Sequence, residues 1–316
     1  MTANGSGAVL VTGGAGFIGS HLVADLTGRG VEVAVWDDFS GCPAGGYLPD
    51  RKVKVDTVDL RQDDLRPLLA EHDFSTVFHL AGQTNVRGSV EDPRQDLDVN
   101  LGTTLNLLRA LRDTGSRAVL VNVSSAAVYG EGRPEPFRED DRTDPTSPYA
   151  VSKLAAEHYV SVFARLFGLR AVSARLFPVY GPGQRKQVVF DLIKKLHDNS
   201  EEIHVHGDGS EVRDLNHVAN VVEGLRLIAL HGNHTGDVYN VAGGEPISIG
   251  RLVELLCRAV GVSPRIVYSG QVGLGVARWW TADTSRVEEL GYKPRMRLAD
   301  GLDDTVAWYR RQVAGG

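Results

Sequence analysis

A glycine-rich turn constrains this chain more than any other feature. The stretch LVTGGAGFIGSHL, residues 10–22, places Gly13, Gly14, Gly16 and Gly19 within seven positions, directly after a short apolar run. Each glycine adds backbone freedom that folding must remove, so such a run indicates that side chains would obstruct something there. The flanking patterns predict a strand before the turn and a helix after it.

Short apolar runs rich in β-branched residues recur along the first half of the chain, with helical patterns between them. These runs cover residues 8–13, 31–37, 53–60, 76–82, 118–125 and 170–177, and 102–115 is one of the amphipathic segments between them. Strands that are apolar on both faces require helices on both sides of a parallel sheet. The pattern predicts an α/β fold with a Rossmann-type doubly wound parallel sheet over residues 1–177.

The remaining residues, 178–316, have a different character and predict a smaller C-terminal α/β lobe that binds substrate. A Pro/Gly loop follows Phe177, and then come a helical segment, a strand with a turn, and two further helices over 249–261 and 299–313. A buried strand is predicted near 236–243, and it could return to the first sheet. The chain shows no internal repeat and no low-complexity segment.

Charge and cysteine content exclude several classes of function. The net charge is −6 and no basic run occurs, so we expect no nucleic-acid partner. Cys42 and Cys257 are far apart without CxxC spacing, which fits a reducing cytoplasm. No signal peptide and no apolar stretch of about 18 residues is present, so we expect no membrane segment.

The histidines and tryptophans suggest no further site. Five of the six histidines in the second half stand out, but no cysteine or carboxylate set accompanies them at ligand spacing, and we therefore expect no metal: His204, His206, His217, His231 and His234. Trp279 and Trp280 are interpreted as packing residues, with stacking on a nucleobase as the alternative.

Gly13, Gly16 and Gly19 form a GxxGxxG pattern that is typical of dinucleotide binding. The first glycine permits a tight turn, the second lets a pyrophosphate approach the backbone, and the third lets helix and strand pack closely. The N-terminus of the helix that follows would face the anion with free N–H groups and a favourable dipole. A glycine-rich turn without a ligand is the alternative.

Asp37 indicates which dinucleotide is bound. It ends the second predicted strand, 24 residues after Gly13. An acidic side chain there accepts hydrogen bonds from the adenosine ribose and repels a 2′-phosphate, so NAD is favoured over NADP. The alternative is a solvated residue at the end of a strand.

Tyr149 and Lys153 are four residues apart, so a helix places them on one face. The run VSSAAVYG ends a predicted strand that brings Ser125 to the carboxyl edge of the sheet, where open α/β folds bind their cofactors. A phenol is a poor base at neutral pH unless positive charge favours its phenolate, and Lys153 and an oxidised nicotinamide would both supply that charge. Tyr149 would then take a hydroxyl proton while a hydride leaves the same carbon, and Ser125 would hydrogen-bond the oxygen.

Taken together, these motifs resemble the extended short-chain dehydrogenases/reductases of the nucleotide-sugar epimerase/dehydratase group. The resemblance covers nearly the whole chain, through TGGAGFIGSHL, DDFSG, HLAG, VNLGTTLNLL, SSAAVYG, SPYAVSK, RLFPVYGPGQ, GDGSEVRD and ARWWTADTSRVEELGYKP. It implies an NAD-dependent enzyme that acts on a nucleoside-diphosphate sugar, and a homodimer formed through helices of the first domain.

The resemblance also implies roles for individual residues. Its cofactor-binding set comprises Gly13, Gly16, Phe17, Ile18, Gly19, Asp37, Asp38, Asp59, Leu60, Leu80, Ala81, Gly82, Asn100, Tyr149 and Lys153. Its substrate-binding set comprises Thr84, Ser125, Ala126, Phe177, Arg213 and Arg278. In this reading Asp59 and Leu60 hold the adenine, and the two arginines clamp the diphosphate with their bidentate guanidinium groups.

Ala126 and Ala127 distinguish between branches of the family. Relatives of the 4,6-dehydratase type carry an Asp-Glu pair there, whereas an alanine cannot move a proton. We therefore favour 4-epimerisation through a transient 4-keto sugar. A dehydratase or ketoreductase on the same site, or a non-catalytic NAD-binding regulator, remain the alternatives. Thr84 and Pro178 depart from the residues of many relatives, so the base and sugar preference can differ.

Overall fold

A seven-stranded parallel sheet is the centre of the fold in the computed structural model, which describes residues 7–41, 48, 53–270 and 278–314. Cys42 lies outside the described residues. The strand order is β11-β6-β5-β4-β1-β2-β3, and every neighbouring pair is parallel. The strands of this sheet are β1 Ala8–Thr12, β2 Val33–Asp37, β3 Lys54–Thr57, β4 Phe74–His79, β5 Val119–Ser125, β6 Ala171–Leu176 and β11 Thr235–Val241.

Seven shorter strands follow β6 in the chain order and lie outside this sheet. They pair as β10 with β7, β12 and β14 with β9, and β13 with β8. These strands are β7 Val179–Tyr180, β8 Glu202–Val205, β9 Val212–Asp214, β10 Asn216–His217, β12 Pro246–Ser248, β13 Arg265–Tyr268 and β14 Trp279–Trp280.

Helices cover both faces of the seven-stranded sheet and build the second half of the chain. Among the described residues they are α1 Phe17–Gly28, α2 Leu65–Ala70, α3 Val86–Glu91, α4 Pro93–Leu97, α5 Thr103–Asp113, α6 Pro148–Phe167, α7 Gln187–Asp198, α8 Val218–His231, α9 Ile249–Val260, α10 Ser285–Glu288 and α11 Leu298–Ala314. A π-helical turn, Asp98–Gly102, joins α4 to α5, and a 3₁₀ turn, Ala126–Tyr129, follows β5.

The period of two along a strand divides the apolar residues between two cores. Val9 and Val11 of β1 face one core with residues of α1 and α8, whereas Leu10 faces the other core with residues of α2, α5 and α6. All three side chains are completely buried. The sheet is therefore covered on both faces, and the predicted α/β fold class is confirmed.

The second half of the chain contains its own apolar core, formed by α7, α9 and α11 with the strands between them. Strand β11 leaves this part and pairs in parallel with β6, with Val241 opposite Leu176. The carboxyl ends of β5, β6 and β11 thus lie side by side, next to the elements of the second half. This edge holds the residues described next.

Candidate active site

The turn after β1 requires glycine at Gly13 for two reasons. Its φ is +70°, and a Cβ there would lie 2.6 Å from the backbone nitrogen of Ala81, just beyond β4. Gly14 is also tightly enclosed, because a Cβ there would lie 2.8 Å from the side chain of Val35 on β2. The GxxGxxG pattern assigns no role to Gly14, although this residue stands inside it.

Gly16 and Gly19 have different surroundings. A Cβ on Gly19 would lie 2.2 Å from the carbonyl oxygen of Gly13, so α1 can start against the turn only without a side chain there. Among the described residues, a Cβ on Gly16 would have that same oxygen, at 3.3 Å, as its only close neighbour. Gly16 is the N-cap of α1, and no side chain of the described ranges caps the start of this helix. The first N–H groups, from Phe17 onward, are thus presented beside an open glycine.

Asp37 lies against the same turn. Its carboxylate accepts hydrogen bonds from the backbone N–H groups of Ala15, at 2.9 Å, and Phe39, at 2.8 Å. Burial raises the pKa of this carboxyl, and the two N–H groups oppose that rise. Asp38 instead points to Ser40, whose hydroxyl donates to it at 2.6 Å. Each oxygen of Asp37 retains capacity for a further donor.

Asp59 and Leu60 lie just past β3. Arg61 donates two side-chain hydrogen bonds to the Asp59 carboxylate, both at 2.8 Å, and holds the pKa of this carboxyl below its usual range. The backbone N–H of Asp59 donates to Asp63. Leu60 is buried in the core beneath α2 and α5. The side chains of both residues thus already have partners within the protein.

Helix α6 begins where it can deliver Tyr149 and Lys153 to the sheet edge. Ser147 caps it by accepting from the N–H of Ala150, and Pro148 occupies the first helical position, where its missing N–H costs nothing. Tyr149 is 7% exposed, and burial raises the pKa of its phenol. A side-chain hydrogen bond from Ser125, the last residue of β5, acts in the opposite direction.

Lys153 lies one turn further along the same face of α6. Its Nζ donates to the carbonyl oxygen of Val123 on β5 at 3.1 Å. Burial lowers the pKa of this amine to about 8, while Asp96 and Glu157 oppose the change. The structure therefore brings Ser125, Tyr149 and Lys153 together at the carboxyl end of β5, where the sequence analysis predicted them.

Gly82 separates this cluster from Asn100. A Cβ on Gly82 would lie 2.6 Å from Asn100 Oδ1 and 3.3 Å from Lys153 Nζ, so only a glycine leaves this space open. Asn100 is 1% exposed, and its Oδ1 has no hydrogen-bond partner among the described residues. A buried acceptor without a partner is costly, and it marks a place where a bound group would be stabilised.

Asp96 is a polar residue of this region that the sequence analysis missed. It accepts hydrogen bonds from Ser152 Oγ at 2.6 Å, from Asn100 Nδ2 at 2.9 Å, and from the side-chain amide of Gln83. A signal was available, because Asp96 and Asn100 are four residues apart and share a helical face.

Ala126 and Ala127 follow Ser125 in the 3₁₀ turn and are both buried. The N–H of Ala127 donates to Ser125 Oγ at 3.2 Å, which fixes the hydroxyl at the turn. Ala127 packs with Tyr149 and Trp280, so apolar surface borders the phenol. Neither alanine brings a proton-transferring group to this position.

Arg213 lies on β9, and Arg278 directly precedes β14, which pairs with β9 so that Trp280 is opposite Arg213. The guanidinium of Arg213 lies over the ring of Trp280, 5.5 Å from its centroid, and forms no ion pair within the described residues. Arg278 instead donates to Ser210 at 2.9 Å and pairs with Asp208. Trp280 therefore contacts both the Tyr149 cluster and Arg213. The prediction that Trp280 is a packing residue did not include its contact with Arg213.

Phe177 and Thr84 are placed differently from these residues. Phe177 is 1% exposed and lies in an apolar cluster with Tyr129 and Ala242, so its side chain does not line an open surface. Thr84 is exposed in the segment between β4 and α3.

The cluster fits a dinucleotide rather than a metal. The open Gly16, the uncapped start of α1, the Asp37 carboxylate and the orphaned Asn100 oxygen follow the same sheet edge, and NAD carries a pyrophosphate, a ribose and an amide that match them. Within the described ranges, no three His, Cys, Asp or Glu side chains are grouped to hold a metal ion. None of the helices described above is long and apolar enough to span a membrane.

Comparison with known proteins agrees with this geometry. The model of the family described as "NAD dependent epimerase/dehydratase family" matches residues 9–242 of this chain. UDP-glucose 4-epimerase of Mycolicibacterium smegmatis is 35% identical over 314 residues, covering 96% of this chain and 98% of that protein. A dTDP-glucose 4,6-dehydratase of Actinoplanes is 33% identical over 321 residues, covering 96% and 97%.

Solved structures give the same result. The crystal structure of Thermus thermophilus UDP-glucose 4-epimerase in complex with NAD superimposes with a TM-score of 0.86 at 34% identity, covering 96% of this chain and 99% of that one. The similarity therefore extends over both halves of the chain and includes a protein that binds NAD.

Proposed function

The chain belongs to the NAD dependent epimerase/dehydratase family, and from this premise we propose that it epimerises a nucleoside-diphosphate sugar at C4 through a transient 4-keto intermediate. The observation that carries the proposal is the cluster of Ser125, Tyr149 and Lys153 at the end of β5, bordered by two alanines. Bound NAD would accept a hydride from the sugar carbon and return it.

Tyr149 moves the proton in this proposal. Its phenolate takes the proton of the sugar hydroxyl when the ketone forms and returns it when the ketone is reduced. Lys153, held on the Val123 carbonyl, favours the phenolate through its positive charge. Ser125 hydrogen-bonds the sugar oxygen while its charge changes.

The alanines favour epimerisation over dehydration. Loss of water from the sugar requires an acid and a base beyond Tyr149, and Ala126 and Ala127 provide neither. In an epimerase the ketone only has to turn over and present its other face, which needs space rather than a further titratable group. Beside Tyr149, this space is bordered by the apolar surface of Ala127 and Trp280.

The substrate's diphosphate is assigned to Arg213 and Arg278. Arg213 supports the assignment best, because burial lowers the pKa of its guanidinium and because, within the described ranges, its hydrogen bonds go only to the carbonyl oxygens of Val212 and Arg278. An anion would supply the missing opposite charge. The same proposal assigns the cofactor to residues 1–177 and the nucleotide sugar to residues 178–316.

A homodimer and a cytoplasmic location complete the proposal. Tyr159, Val162 and Leu166 form an exposed apolar stripe on α6, and Leu166 is 72% exposed. Such a stripe supports association with a second copy. Leu166→Glu is expected to give monomers in light scattering, whereas Leu230→Glu on α8 leaves the mass unchanged. Cell fractionation tests the location, which the low cysteine content supports.

The experiment that tests the activity is product analysis. The purified protein is incubated with UDP-, dTDP-, GDP- and CDP-sugars, and products are separated and weighed by mass spectrometry. An epimer of unchanged mass is expected, with inversion at C4 established by NMR. A product that has lost water would instead make the chain a dehydratase. Reduction of an added nucleoside-diphosphate 4-keto sugar, with a mass gain of two hydrogens and oxidation of added NADH, would make it a ketoreductase.

A further inference from the structure

A buried carboxylate behind the Tyr149 cluster forms no ion pair within the part of the chain that the structure describes. Asp96, on α4, is 1% exposed, and its hydrogen-bond donors are the neutral side chains of Ser152, Asn100 and Gln83. It forms no ion pair with any residue in the described ranges. A buried charge without a counter-charge is strongly destabilising, so its retention here needs an explanation.

Lys153 carries the charge that faces Asp96. Ser152, which donates to Asp96, directly precedes Lys153 on α6. Among the charges that act on Lys153, that of Asp96 opposes the lowering of its pKa most strongly. Glu157 also faces Lys153, but Arg175 neutralises it through a buried ion pair of 2.7 Å. Of these two carboxylates, Asp96 is therefore the one left to balance the charge of Lys153.

Asp96 also fixes the amide of Asn100. Because Nδ2 donates to the Asp96 carboxylate, Oδ1 must point the other way, toward the space beside Gly82 that Lys153 Nζ also borders. That oxygen is the orphaned acceptor of the site. Without Asp96, nothing in this contact would distinguish the two orientations of the amide.

We propose that Asp96 is a positioning residue of the active site: its carboxylate supplies the negative charge that balances Lys153, and it orients Asn100 Oδ1 and the first turns of α6 through hydrogen bonds. The inference rests on the proposed function only in treating Tyr149 as the proton acceptor. It assigns to a residue outside the Ser-Tyr-Lys cluster the task of setting the pH range in which that cluster works.

The other titratable groups near the cluster do not carry this task. His79 of β4 is completely encased between Thr12 and Thr104, and burial together with the charge of Lys153 lowers its pKa to about 3, so it is neutral. Glu157 is paired with Arg175. Among the described residues, Asp96 thus remains the one charge whose removal should lower the pKa values of both Lys153 and Tyr149.

The direction of the effect follows from the sign of the charge. The Asp96 carboxylate raises the pKa of Lys153 and also that of Tyr149. Asp96→Asn keeps the shape, and the Ser152 hydroxyl can turn to accept from the new amide. Both limbs of the pH profile of kcat are therefore expected to move to lower pH by about one unit, the order produced by one charge several ångströms away.

Two variants separate charge from hydrogen bonding. Ser152→Ala keeps the Asp96 carboxylate, so we expect both limbs of its kcat-against-pH profile to lie at the same pH as in the unmodified protein. Asp98→Asn removes an exposed carboxylate on the next turn, which is paired with Arg94, and controls for net charge. Should Asp96→Asn fail to fold, Asp96→Ser leaves room for a water among the same donors and carries the same prediction.

A second measurement does not depend on turnover. Ultraviolet titration of tyrosinate in the purified protein without sugar, with Tyr149→Phe as the subtracted reference, reports the pKa of Tyr149 directly. Asp96→Asn is expected to lower it. Unchanged tyrosinate titration in that variant, or an equal shift in Ser152→Ala, would overturn the inference. A lowered pKa in a protein that turns over no sugar would reject the proposed function and keep the inference.

Discussion

Lys153 Nζ donates a hydrogen bond to the backbone carbonyl of Val123, 3.1 Å away. The bond ties α6 to β5 two residues before Ser125, so the position of Tyr149 on the helix and that of Ser125 on the strand are not independent. Lys153 thus links helix and strand at the candidate site, and in the proposed mechanism its positive charge would favour the Tyr149 phenolate.

Activity should decline on the alkaline side as Lys153 loses its proton. Burial lowers the pKa of this amine from 10.5 to about 8. Below that pH the ammonium favours the Tyr149 phenolate, and above it this support is lost. We expect kcat to fall as pH rises through about 8, and Lys153→Met to reduce kcat by about 10- to 100-fold at pH 7. Lys194→Met, on the exposed face of α7, should leave the profile unchanged; a matching loss there would argue against the assignment.

Gly13→Ala should abolish cofactor retention. The new Cβ would meet the backbone at Ala81, and the φ of +70° adds about 1–2 kcal/mol of strain. Gly28→Ala on α1 is the matched control, because it is exposed with no atom within 4 Å of its Cβ, and it should stabilise the chain by about 0.5–1 kcal/mol. Thermal unfolding and the NAD content after gel filtration measure both. A Gly13→Ala protein that retains its dinucleotide would show that the turn is not the binding element.

Arg213→Gln should raise the KM for the nucleotide sugar by about 10- to 150-fold, the equivalent of losing a charged hydrogen bond worth about 1.5–3 kcal/mol. Arg278→Gln should raise it less, because the Arg278 guanidinium is already bound to Ser210 and Asp208. Steady-state kinetics at saturating and limiting sugar separate KM from kcat. Equal effects of the two substitutions would mean that Arg278 leaves Asp208 when substrate binds.

Acid should destabilise the fold through His79. Its pKa is about 3 in the folded chain and about 6.5 when unfolded, so the unfolded state binds the additional proton between these values. Stability contributed by the neutral ring is present above pH 6.5 and is lost as pH falls, by up to about 1.4 kcal/mol per unit.

Urea unfolding at several pH values between about 3 and 6.5 measures how steeply the free energy of unfolding changes with pH in His79→Asn. The substitution should make the slope shallower, with a remainder from His217, whose pKa is also lowered, to about 4. His204→Asn, an exposed side chain on β8, should reproduce the slope of the unmodified chain. An unaltered slope in His79→Asn would contradict the assignment.

The sequence predicted those parts of the molecule that depend on local pattern. The glycine-rich turn, the parallel sheet, the helix with Tyr149 and Lys153, and the family were all readable because strand periodicity, turn residues and i, i+4 spacing act over short distances. The order of the strands places Ser125 beside Tyr149, and this follows from the general rule that parallel strands end at one edge.

Contacts between distant segments could not be read in the same way. Asp96 meets Ser152 across 56 positions of sequence, and Trp280 reaches Tyr149 from the far end of the chain. Gly14 is enclosed by Val35 of β2, and this contact depends on how the turn before α1 packs against β2. Such contacts depend on how whole elements pack, so an isolated acidic or aromatic residue gives no indication of its partner.

The central claim is that Tyr149 exchanges the proton of the sugar hydroxyl. It is tested most directly by Tyr149→Phe, which removes the phenolic oxygen and keeps the ring among Ala127 and Trp280. Epimerisation of the best nucleotide sugar and reduction of the bound NAD are followed in the same sample. The account predicts a folded protein that retains NAD and loses turnover by about 10²-fold or more. Turnover equal to that of the unmodified protein would contradict it.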